Sequence, residues 1–373
     1  MPFLEVHPIQ YLKTGYLVVA MFVLLGVLFS VVLFMLLYLL ARKKREKQKE
    51  RWHQPVDLLI RRAIFFEESP DRMQIPITPG VSRWLKRSYF RQFLLDEMIT
   101  AKKSFSGNAA ENLVRLYNQL RLERLSLTKL SSLKWHIRAR CIQELAAMDQ
   151  KDQVGKIYRL TNHPNEFIRM EAQSAIVHFY GFEGLRFLDV VSQPISEWQQ
   201  IQLLAQLPKT LGAGLKGMES WLKSSNSSVI SFALKLARIH RRFELHDAVA
   251  GCLDHHNPAV RIQALKCLQD ICNETTATLI IGRYEKNDRL YRIAALETLQ
   301  CMGPESAEQQ IGFLQKELLN EDDTIKLATA RVLATVSGRG TQSLDDFEKA
   351  GEYPWNEIIR QAKGEQTKSG KAA

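Results

Sequence analysis

Apolar residues recur along this chain with a period close to 31 residues. In the clearest copy, Ile168 and Arg169 are followed by Ala172 and Ile176, four and eight positions after Ile168. This spacing places the apolar residues on one face of a helix. Seven copies begin 31, 31, 30, 31, 31 and 34 residues apart, at Ile137, Ile168, Gln199, Val229, Val260, Tyr291 and Ile325. Such a period is typical of a stacked array, in which each unit buries its apolar face against its neighbours.

Each copy is predicted to be the second helix of a helix–turn–helix unit. A first apolar stretch precedes several copies; Val154, Ile157 and Leu160, for example, precede the copy at Ile168. Turn residues such as Pro164 and Asn165 stand between the two stretches, because proline ends one helix and a short polar residue caps the next. We therefore predict an all-α fold with an α-solenoid over residues 105–340.

The motif of the copies resembles that of HEAT repeats, in particular their short bacterial form. The resemblance rests on the apolar–arginine pair and on the Ala-Leu-x-x-Leu that follows it, as in Val260-Arg261 with Ala264-Leu265 and Leu268. It covers roughly residues 105–340 and implies a solenoid of helix pairs without specifying a function. The motif positions to which it gives structural roles are the basic residues Arg138, Arg169, Arg261, Arg292 and Lys326 and the small residues Ala172, Ala264 and Ala295.

The resemblance also implies that the basic residue of a copy pairs with an acidic residue of the same turn. The acidic residues available for such pairs are Glu166 for Arg169, Asp288 for Arg292 and Asp323 for Lys326. The copies that begin at Gln199 and Val229 lack the basic residue. We therefore expect the ladder of ion pairs to be interrupted in the middle of the array.

The N-terminal part of the chain has the pattern of a membrane anchor. Residues 16–41 contain no charged side chain, and 26 residues of helix span roughly 39 Å, more than the ~30 Å hydrocarbon core of a bilayer. Seven cations and two carboxylates follow within residues 42–51, beginning with Arg42, Lys43, Lys44 and Arg45. Because basic flanks stay in the cytoplasm, we predict a single-pass protein of the cell (inner) membrane, with residues 1–15 outside and the array in the cytoplasm. A cleaved signal peptide would need a basic start and a small-residue cleavage site, which are not found.

The net charge of +11 is concentrated outside the repeats. Residues 42–51 contribute +5, residues 83–103 contribute +4 and the tail from Arg360 contributes +3, so the rest of the chain is nearly neutral. A nucleic-acid groove would need its cations on the array, and we predict no nucleic-acid partner. The basic run beside the membrane is better suited to anionic lipid headgroups.

The cysteine and histidine pattern predicts neither a metal nor a cofactor. The five cysteines include no C-x-x-C pair, and they are expected to be buried, reduced thiols of a cytoplasmic domain. Cys252, His255 and His256 lie close together in sequence, but no second ligand pair follows at a zinc-like spacing. We interpret this segment as an ordinary turn between helices.

The remaining segments are predicted to cover the ends of the array. Residues 52–104 should form a helical N-terminal cap, with one helix beginning at Pro55 and a second from Val81 to about Lys103 that packs rather than lying on the membrane. A C-terminal capping helix is expected over residues 341–363, because a terminal repeat exposes an apolar face that must be covered. Residues 364–373 are small and polar and are predicted to be disordered.

These features favour a binding protein over an enzyme. No G-x-S-x-G, Walker or G-x-G-x-x-G motif occurs, and no His-Glu dipeptide is present to supply the iron ligands of repeat-fold hydroxylases. We predict a membrane-anchored cytoplasmic scaffold or adaptor, possessing no cofactor, that binds an unidentified protein partner. The alternative is a repeat-fold enzyme of the phycobilin-lyase-like kind.

The concave surface of a solenoid is lined by the second helix of each pair. Polar residues that stand among the apolar positions of these helices are therefore the candidate partner face, and they are Gln173, Gln200, Gln263, Gln269 and Glu297.

The topology can be tested with reporters fused after Ala373. A reporter that works only in the cytoplasm is expected to be active, and one that works only outside it to be inactive, because the basic run holds its side of the membrane in the cytoplasm. The opposite pattern of activities would contradict a cytoplasmic array.

Overall fold

The computed structural model describes residues 14–67, 74–208, 217–319, 322–336, 338–350 and 355–369. Every regular element in these ranges is helical, as the all-α prediction requires. The chain divides into two compact units, unit 1 (Met1–Ser131) and unit 2 (Ser132–Ala373). The predicted extracytoplasmic segment, residues 1–15, lies almost entirely outside the described ranges.

Unit 1 contains α1 (Thr14–Ile64), α2 (Pro79–Trp84), α3 (Ser88–Ser104), α4 (Asn108–Gln119) and α5 (Glu123–Leu130). The first of these is one continuous helix of 51 residues that includes Pro55, so the prediction that Pro55 begins a separate helix is wrong. An internal proline removes one backbone hydrogen bond. The neighbouring side chains of Val56, Leu59 and Ile60 are buried in unit 1, and their packing favours an uninterrupted helix.

The first half of α1 is apolar and exposed. Every side chain from Val19 to Leu40 is exposed, and the most apolar window of 18 residues has a mean hydropathy of 2.9. By length and composition, α1 is the one helix in the described part of the chain that is suited to crossing a membrane. The basic residues 42–51 continue the same helix without a break.

The second half of α1 forms the core of unit 1 with α3 and α4. Trp52 on α1 is buried, and its ring centroid lies 5.1 Å from that of Phe90 on α3. The side-chain amide of Asn112 on α4 donates a hydrogen bond to the carbonyl of Phe66 at 2.8 Å. Helices α4 and α5, which the sequence pattern assigns to the array, thus belong to this unit.

Unit 2 holds the repeated helices. In chain order these are α6 (Trp135–Ala147), α7 (Val154–Tyr158), α8 (Glu166–Tyr180), α9 (Glu197–Gln206), α10 (Met218–Leu222), α11 (Ser227–Ile239), α12 (His246–Gly251), α13 (Pro258–Leu268), α14 (Thr276–Ile281), α15 (Arg289–Met302), α16 (Pro304–Glu308), α17 (Ile311–Leu318), α18 (Asp323–Thr335), α19 (Arg339–Ala350) and α20 (Trp355–Ser369). Four segments are 3-10 helices: Lys151–Gln153, Gly181–Asp189, Phe243–Leu245 and Cys252–Asp254.

Seven of these helices contain the repeat copies, and we call them the B helices: α6, α8, α9, α11, α13, α15 and α18. Each predicted copy begins at the third residue of its B helix. The sequence pattern and the helices therefore share one register. The helices that precede the B helices are shorter, such as α10 with five residues and the 3-10 helix Gly181–Asp189.

Short polar residues cap six of the seven B helices, as the sequence predicts. Each cap side chain accepts a hydrogen bond from a backbone N–H in the first turn, a group that has no partner within the helix. The caps are Asn165, Ser196, Asn226, Asn257, Asp288 and Asp322. The start of each B helix is therefore fixed locally by one side chain.

A continuous apolar core of unit 2 extends from Val177 on α8 to Ala362 on α20. The small residues Ala172, Ala264 and Ala295 are fully buried, which agrees with their predicted place at close contacts between helices. Gly184 makes a similar close approach, because a Cβ atom there would lie 2.5 Å from the carbonyl oxygen of Ile176 on α8. Larger side chains at these positions would push neighbouring helices apart.

Two helices, rather than one, follow the last B helix. Ile358, Ile359 and Ala362 on α20 are buried, and Arg331 on α18 forms an ion pair with Glu365 at 2.8 Å. Residues 364–369, for which the sequence predicts disorder, are helical and form the last part of α20. Residues 370–373 lie outside the described ranges.

Substitution of leucine for Ala264 or Ala295 should destabilise the array. The added side chain would overpack a filled contact, at a cost of about 1–3 kcal/mol, and each kcal/mol lowers the melting temperature of a unit of this size by about 2–4 °C. Thermal unfolding of the detergent-solubilised protein, followed by circular dichroism, measures this change.

Ala259→Leu is the matched control for these substitutions. Ala259 lies on the same helix as Ala264 but is exposed, so its replacement should alter stability by less than about 0.5 kcal/mol. Equal melting temperatures for all three variants would show that Ala264 and Ala295 are not at close helix contacts.

Candidate partner-binding surface of the array

The fourth residue of a B helix binds backbone carbonyls of the turn that precedes the helix. The guanidinium group of Arg169 donates to the carbonyls of His163 at 2.7 Å and Pro164 at 3.2 Å. That of Arg261 donates in the same way to the carbonyls of His255 and His256, at 3.0 and 3.3 Å. These carbonyls have no partner within a helix, and the arginine side chain satisfies them.

Arg292 follows the same rule, with hydrogen bonds to the carbonyls of Asn287 at 3.2 Å and Glu285 at 3.0 Å. The ion pairs expected for Arg169 with Glu166 and for Arg292 with Asp288 do not form among the described residues, because both guanidinium groups are directed at carbonyls. Asp288 instead lies 3.5 Å from Arg261 of the preceding repeat.

The first and last copies differ from this arrangement. The guanidinium group of Arg138 on α6 lies 3.5 Å from the Nε2 atom of His163 in the next repeat. Burial and the charge of Arg138 lower the pKa of His163. Lys326 on α18 forms the expected ion pair with Asp323 at 2.9 Å, and its ammonium group lies 5.2 Å from the ring centroid of Trp355.

Gln200 is buried and has a structural role, so its assignment to the partner face is wrong. It is the fourth residue of α9, and its amide donates to the carbonyl of Ile195 at 3.1 Å and to that of Ser228 at 3.4 Å. Its side-chain oxygen accepts from Lys235 at 2.9 Å. A glutamine thus replaces the arginine of the other copies, whereas Ile230 at the same position of α11 is apolar and buried.

Gln173 is also buried rather than exposed to a partner. Its amide donates to the carbonyl of Thr161 at 2.7 Å, and its side-chain oxygen accepts a hydrogen bond from Gln199. Of the other residues proposed for the partner face, Gln263 and Gln269 are half-buried and Glu297 is exposed. Three of the five candidates therefore remain accessible.

The histidines and cysteines of the turns are part of the fold. The Nδ1 atom of His255 accepts from the backbone N–H of Asn257 at 3.0 Å, and His163 does the same for Asn165. Burial raises the pKa of Cys252 to about 11, which disfavours the thiolate form that binds metals. The described residues contain no group of three potential ligands that could hold a metal.

All five cysteines are free, but they are not all buried as expected. Cys141, Cys252 and Cys267 are buried, Cys272 is half-buried and Cys301 is exposed. Cys301 lies near the C-terminal end of α15. The spacing of apolar residues alone does not show that its side chain is exposed.

One hydrogen-bond network joins a carboxylate, an imidazole and a hydroxyl, the three groups of a catalytic triad. The imidazole of His246 lies 3.0 Å from a carboxylate oxygen of Asp247 and 2.8 Å from the hydroxyl of Thr276. Thr276 is fully buried, and its hydroxyl also accepts from the backbone N–H of Asn273 at 2.8 Å. The hydroxyl is therefore held inside the turn before α14, where it has no path to a substrate.

Large apolar side chains are exposed at, or just before, the N-terminal ends of the first three B helices. We call Leu133, Trp135, Phe167 and Trp198 the aromatic ridge. Trp135 and Phe167 stack at a centroid distance of 4.6 Å and an angle of 22°, yet 45% and 49% of their surfaces are exposed. Trp198 is 64% exposed and Leu133 fully so. An exposed patch of large apolar residues is typical of an interaction surface.

Sequence reasoning missed the aromatic ridge because its residues precede the repeat motif, the three rings by one or two positions and Leu133 by four. Phe167 and Trp198 are the second residues of α8 and α9, where the helix has not yet turned toward the core. Carboxylates stand beside both rings, since each follows a glutamate, Glu166 or Glu197. Glu197 also lines a polar groove of about 550 Å³ next to α11.

Comparisons with known proteins place the chain in no family. No protein-family model matches it, and no curated protein does. Among solved structures it is similar to an engineered protein (14% identity, TM-score 0.37, 76% of this chain and 87% of the other). It is also similar to a Kap121p mutant, with 11% identity and a TM-score of 0.48 over 80% of this chain and 43% of the other. A third similar structure is the CpcE–CpcF phycocyanin lyase complex from Nostoc sp. PCC7120, with 13% identity and a TM-score of 0.24 over 75% of this chain and 97% of the other.

The chain spans less than half the length of the Kap121p chain it matches. At these identities and TM-scores, the similarities assign neither a family nor a function. The repeated caps, the carbonyl-binding fourth residues and the continuous core instead define an all-helical repeat protein from the chain itself.

Gln200→Ala should destabilise the array by about 1–3 kcal/mol, because it leaves buried carbonyls without a donor. Gln202→Ala is the control, since Gln202 is half-buried on the same helix and its loss should cost less than about 0.5 kcal/mol. Urea unfolding of the two variants compares them. Indistinguishable midpoints would show that the Gln200 amide does not support the turn.

Proposed function

We propose that this protein is a membrane-anchored scaffold that binds a protein partner through its repeat array. In this proposal α1 spans the cell (inner) membrane once, residues 42–51 lie against anionic headgroups in the cytoplasm, and the array is cytoplasmic. The length and exposure of the apolar half of α1 and the basic run that follows it support this topology.

The aromatic ridge is the observation that carries the binding role. Burying Trp135, Phe167 and Trp198 against a partner would remove a large apolar area from water, and tryptophan is enriched among the residues that dominate binding energies. Other large apolar residues of the array are also exposed, such as Phe243 and Leu290, but Trp135 and Phe167 are exposed together as a stacked pair.

The carboxylates beside the rings favour a protein over a lipid surface. Glu166 and Glu197 are exposed next to Phe167 and Trp198, and negative charges there oppose contact with anionic headgroups. They instead fit a partner segment in which apolar side chains alternate with lysine or arginine. We therefore place the partner face on the aromatic ridge rather than on Gln173 and Gln200.

A binding role is proposed in preference to catalysis because the described histidines and cysteines with unusual surroundings serve turns and core. His255 and His163 accept backbone N–H groups, and Thr276 is enclosed. The exposed aromatic side chains are therefore the surface that would gain most from burial against a partner.

The proposal can be tested by site-specific photo-cross-linking in cells. A photoreactive residue at Phe167 or Trp198 is expected to cross-link one protein, and the partner thus identified should bind purified Trp198→Ala at least about thirtyfold more weakly, the loss typical of a central interface residue. Leu290→Ala is the control, because Leu290 is 63% exposed at the equivalent second position of α15 but lies outside the ridge.

Equal weakening by Trp198→Ala and Leu290→Ala would contradict a specific role of the ridge. Partner binding that is lost only when residues 42–51 are deleted would show that the array is not the recognition surface.

A further inference from the structure

The turn between α2 and α3 lies at the end of unit 1 that is closest to the apolar half of α1. The ring of Trp84, the last residue of α2, is 6.5 Å from that of Trp52 on α1. The ring of Tyr89, at the start of α3, is 5.6 Å from the same tryptophan. Gly80 and Val81 line a groove with Leu58 and Arg62, so α2 runs back along α1 toward the apolar half and α3 begins there.

The continuous helix sets the distance of this turn from the apolar half of α1. Trp52 is eleven residues beyond Ala41, which is roughly 17 Å at about 1.5 Å per residue. The headgroup layer of a bilayer occupies about 5–8 Å on each side. The turn would therefore stand about 9–12 Å from the headgroups, slightly more than the Debye length of about 8–10 Å, and the tilt that spanning helices commonly have would bring it nearer.

The turn is strongly basic. Residues 79–95 contain Arg83, Lys86, Arg87 and Arg91 and no acidic residue. Arg83, Lys86 and Arg87 are exposed, and none of the three forms an ion pair with a described carboxylate. The exposed Tyr89 beside them is an amphipathic residue of the kind enriched at membrane interfaces. We call residues 83–89 the basic turn.

We propose that the basic turn is a second membrane contact, which binds the anionic phospholipid headgroups of the leaflet that faces residues 42–51. This inference rests on the proposed spanning by α1. A single helix leaves unit 1 free to rotate about its axis, whereas a second contact on one side of that axis fixes the face that unit 1 turns to the bilayer. The single helix predicted from Val81 to about Lys103 is divided into α2 and α3 by this turn. Helix α3 packs through the buried Phe90 and Phe93, and the proposed contact belongs to the turn before it.

Hydrogen exchange of the full-length chain in nanodiscs tests this contact. Amides of residues 83–91 are expected to exchange at least about fivefold more slowly in phosphatidylcholine–phosphatidylglycerol discs than in phosphatidylcholine discs, since one basic residue near an anionic surface contributes about that factor. The difference should vanish in about 1 M salt, where the Debye length falls to about 3 Å.

Charge reversal identifies the residues responsible. The triple variant Arg83→Glu, Lys86→Glu and Arg87→Glu should lose the lipid-dependent protection. The control reverses three exposed cations outside the basic turn, one in the last turn of α3 and two near the start of α5, with the same change of charge: Lys103→Glu, Arg121→Glu and Arg124→Glu. It should keep the protection.

Other outcomes separate this inference from the topology. Equal exchange in the two lipids while residues 19–40 remain protected would overturn the second contact and leave the spanning helix intact. Rapid exchange of residues 19–40 in both discs would contradict the spanning itself. Protection of the basic turn that appears only when an acidic protein is added would assign the turn to that partner and overturn the lipid assignment.

Discussion

The array depends on one interaction, the hydrogen bonds from the fourth residue of a B helix to carbonyls of the preceding turn. The helices before the B helices are short, so carbonyls without helical partners occur once in every repeat. Arg169, Arg261 and Arg292 bind such carbonyls with guanidinium groups, and Gln200 does so with an amide. The N-cap of the same helix satisfies donors a few residues away. In these four repeats the turn is held by the B helix that follows it, so the register is fixed locally and other positions can vary.

A second constraint is the continuity of α1. Its apolar half and the half that packs in unit 1 are parts of one helix, so unit 1 has no flexible connection to the apolar half. Pro55 removes a backbone hydrogen bond inside that helix, but Trp52 and Val56 on either side are buried, and their packing offsets the loss. Movement of the apolar half about its axis would therefore be transmitted directly to unit 1.

The sequence predicts the part of the structure that follows from a repeated core. The third residue of every B helix except α9, where it is Gln199, contributes to the apolar stripe, and the same register recurs because each helix packs against similar neighbours. The cap residues Asn165 and Asn257 are predictable for the same reason, since a short polar residue after a turn has a local role. The predicted C-terminal helix ends at residue 363, before the end of α20, because the polar composition of the tail does not indicate the ion pair that Glu365 forms.

The functional surface was harder to predict, because the role of a polar residue depends on atoms outside its own helix. Gln173 and Gln200 stand where a solvent-facing residue would also stand, and only the positions of the Thr161 and Ile195 carbonyls show that both are buried. For Trp198 the pattern suggests a buried residue, whereas the side chain is exposed. An aromatic residue one position before an apolar motif has the composition of a core, and the exposure of its ring depends on where the helix begins.

The first residue of the B helix makes different contacts near the two ends of the array. In α6 the first residue is Trp135, which stacks on Phe167 of the next repeat and stays exposed. In α15 the first residue is Arg289, which forms an ion pair with Asp322, the cap of α18. Exposed ion pairs of this kind contribute little stability, about 0–1 kcal/mol, but they satisfy both charges. The aromatic pair connects two repeats and still presents part of both rings to solvent, which is why the proposed partner face lies on these repeats and not on those where charges make the contact between neighbours.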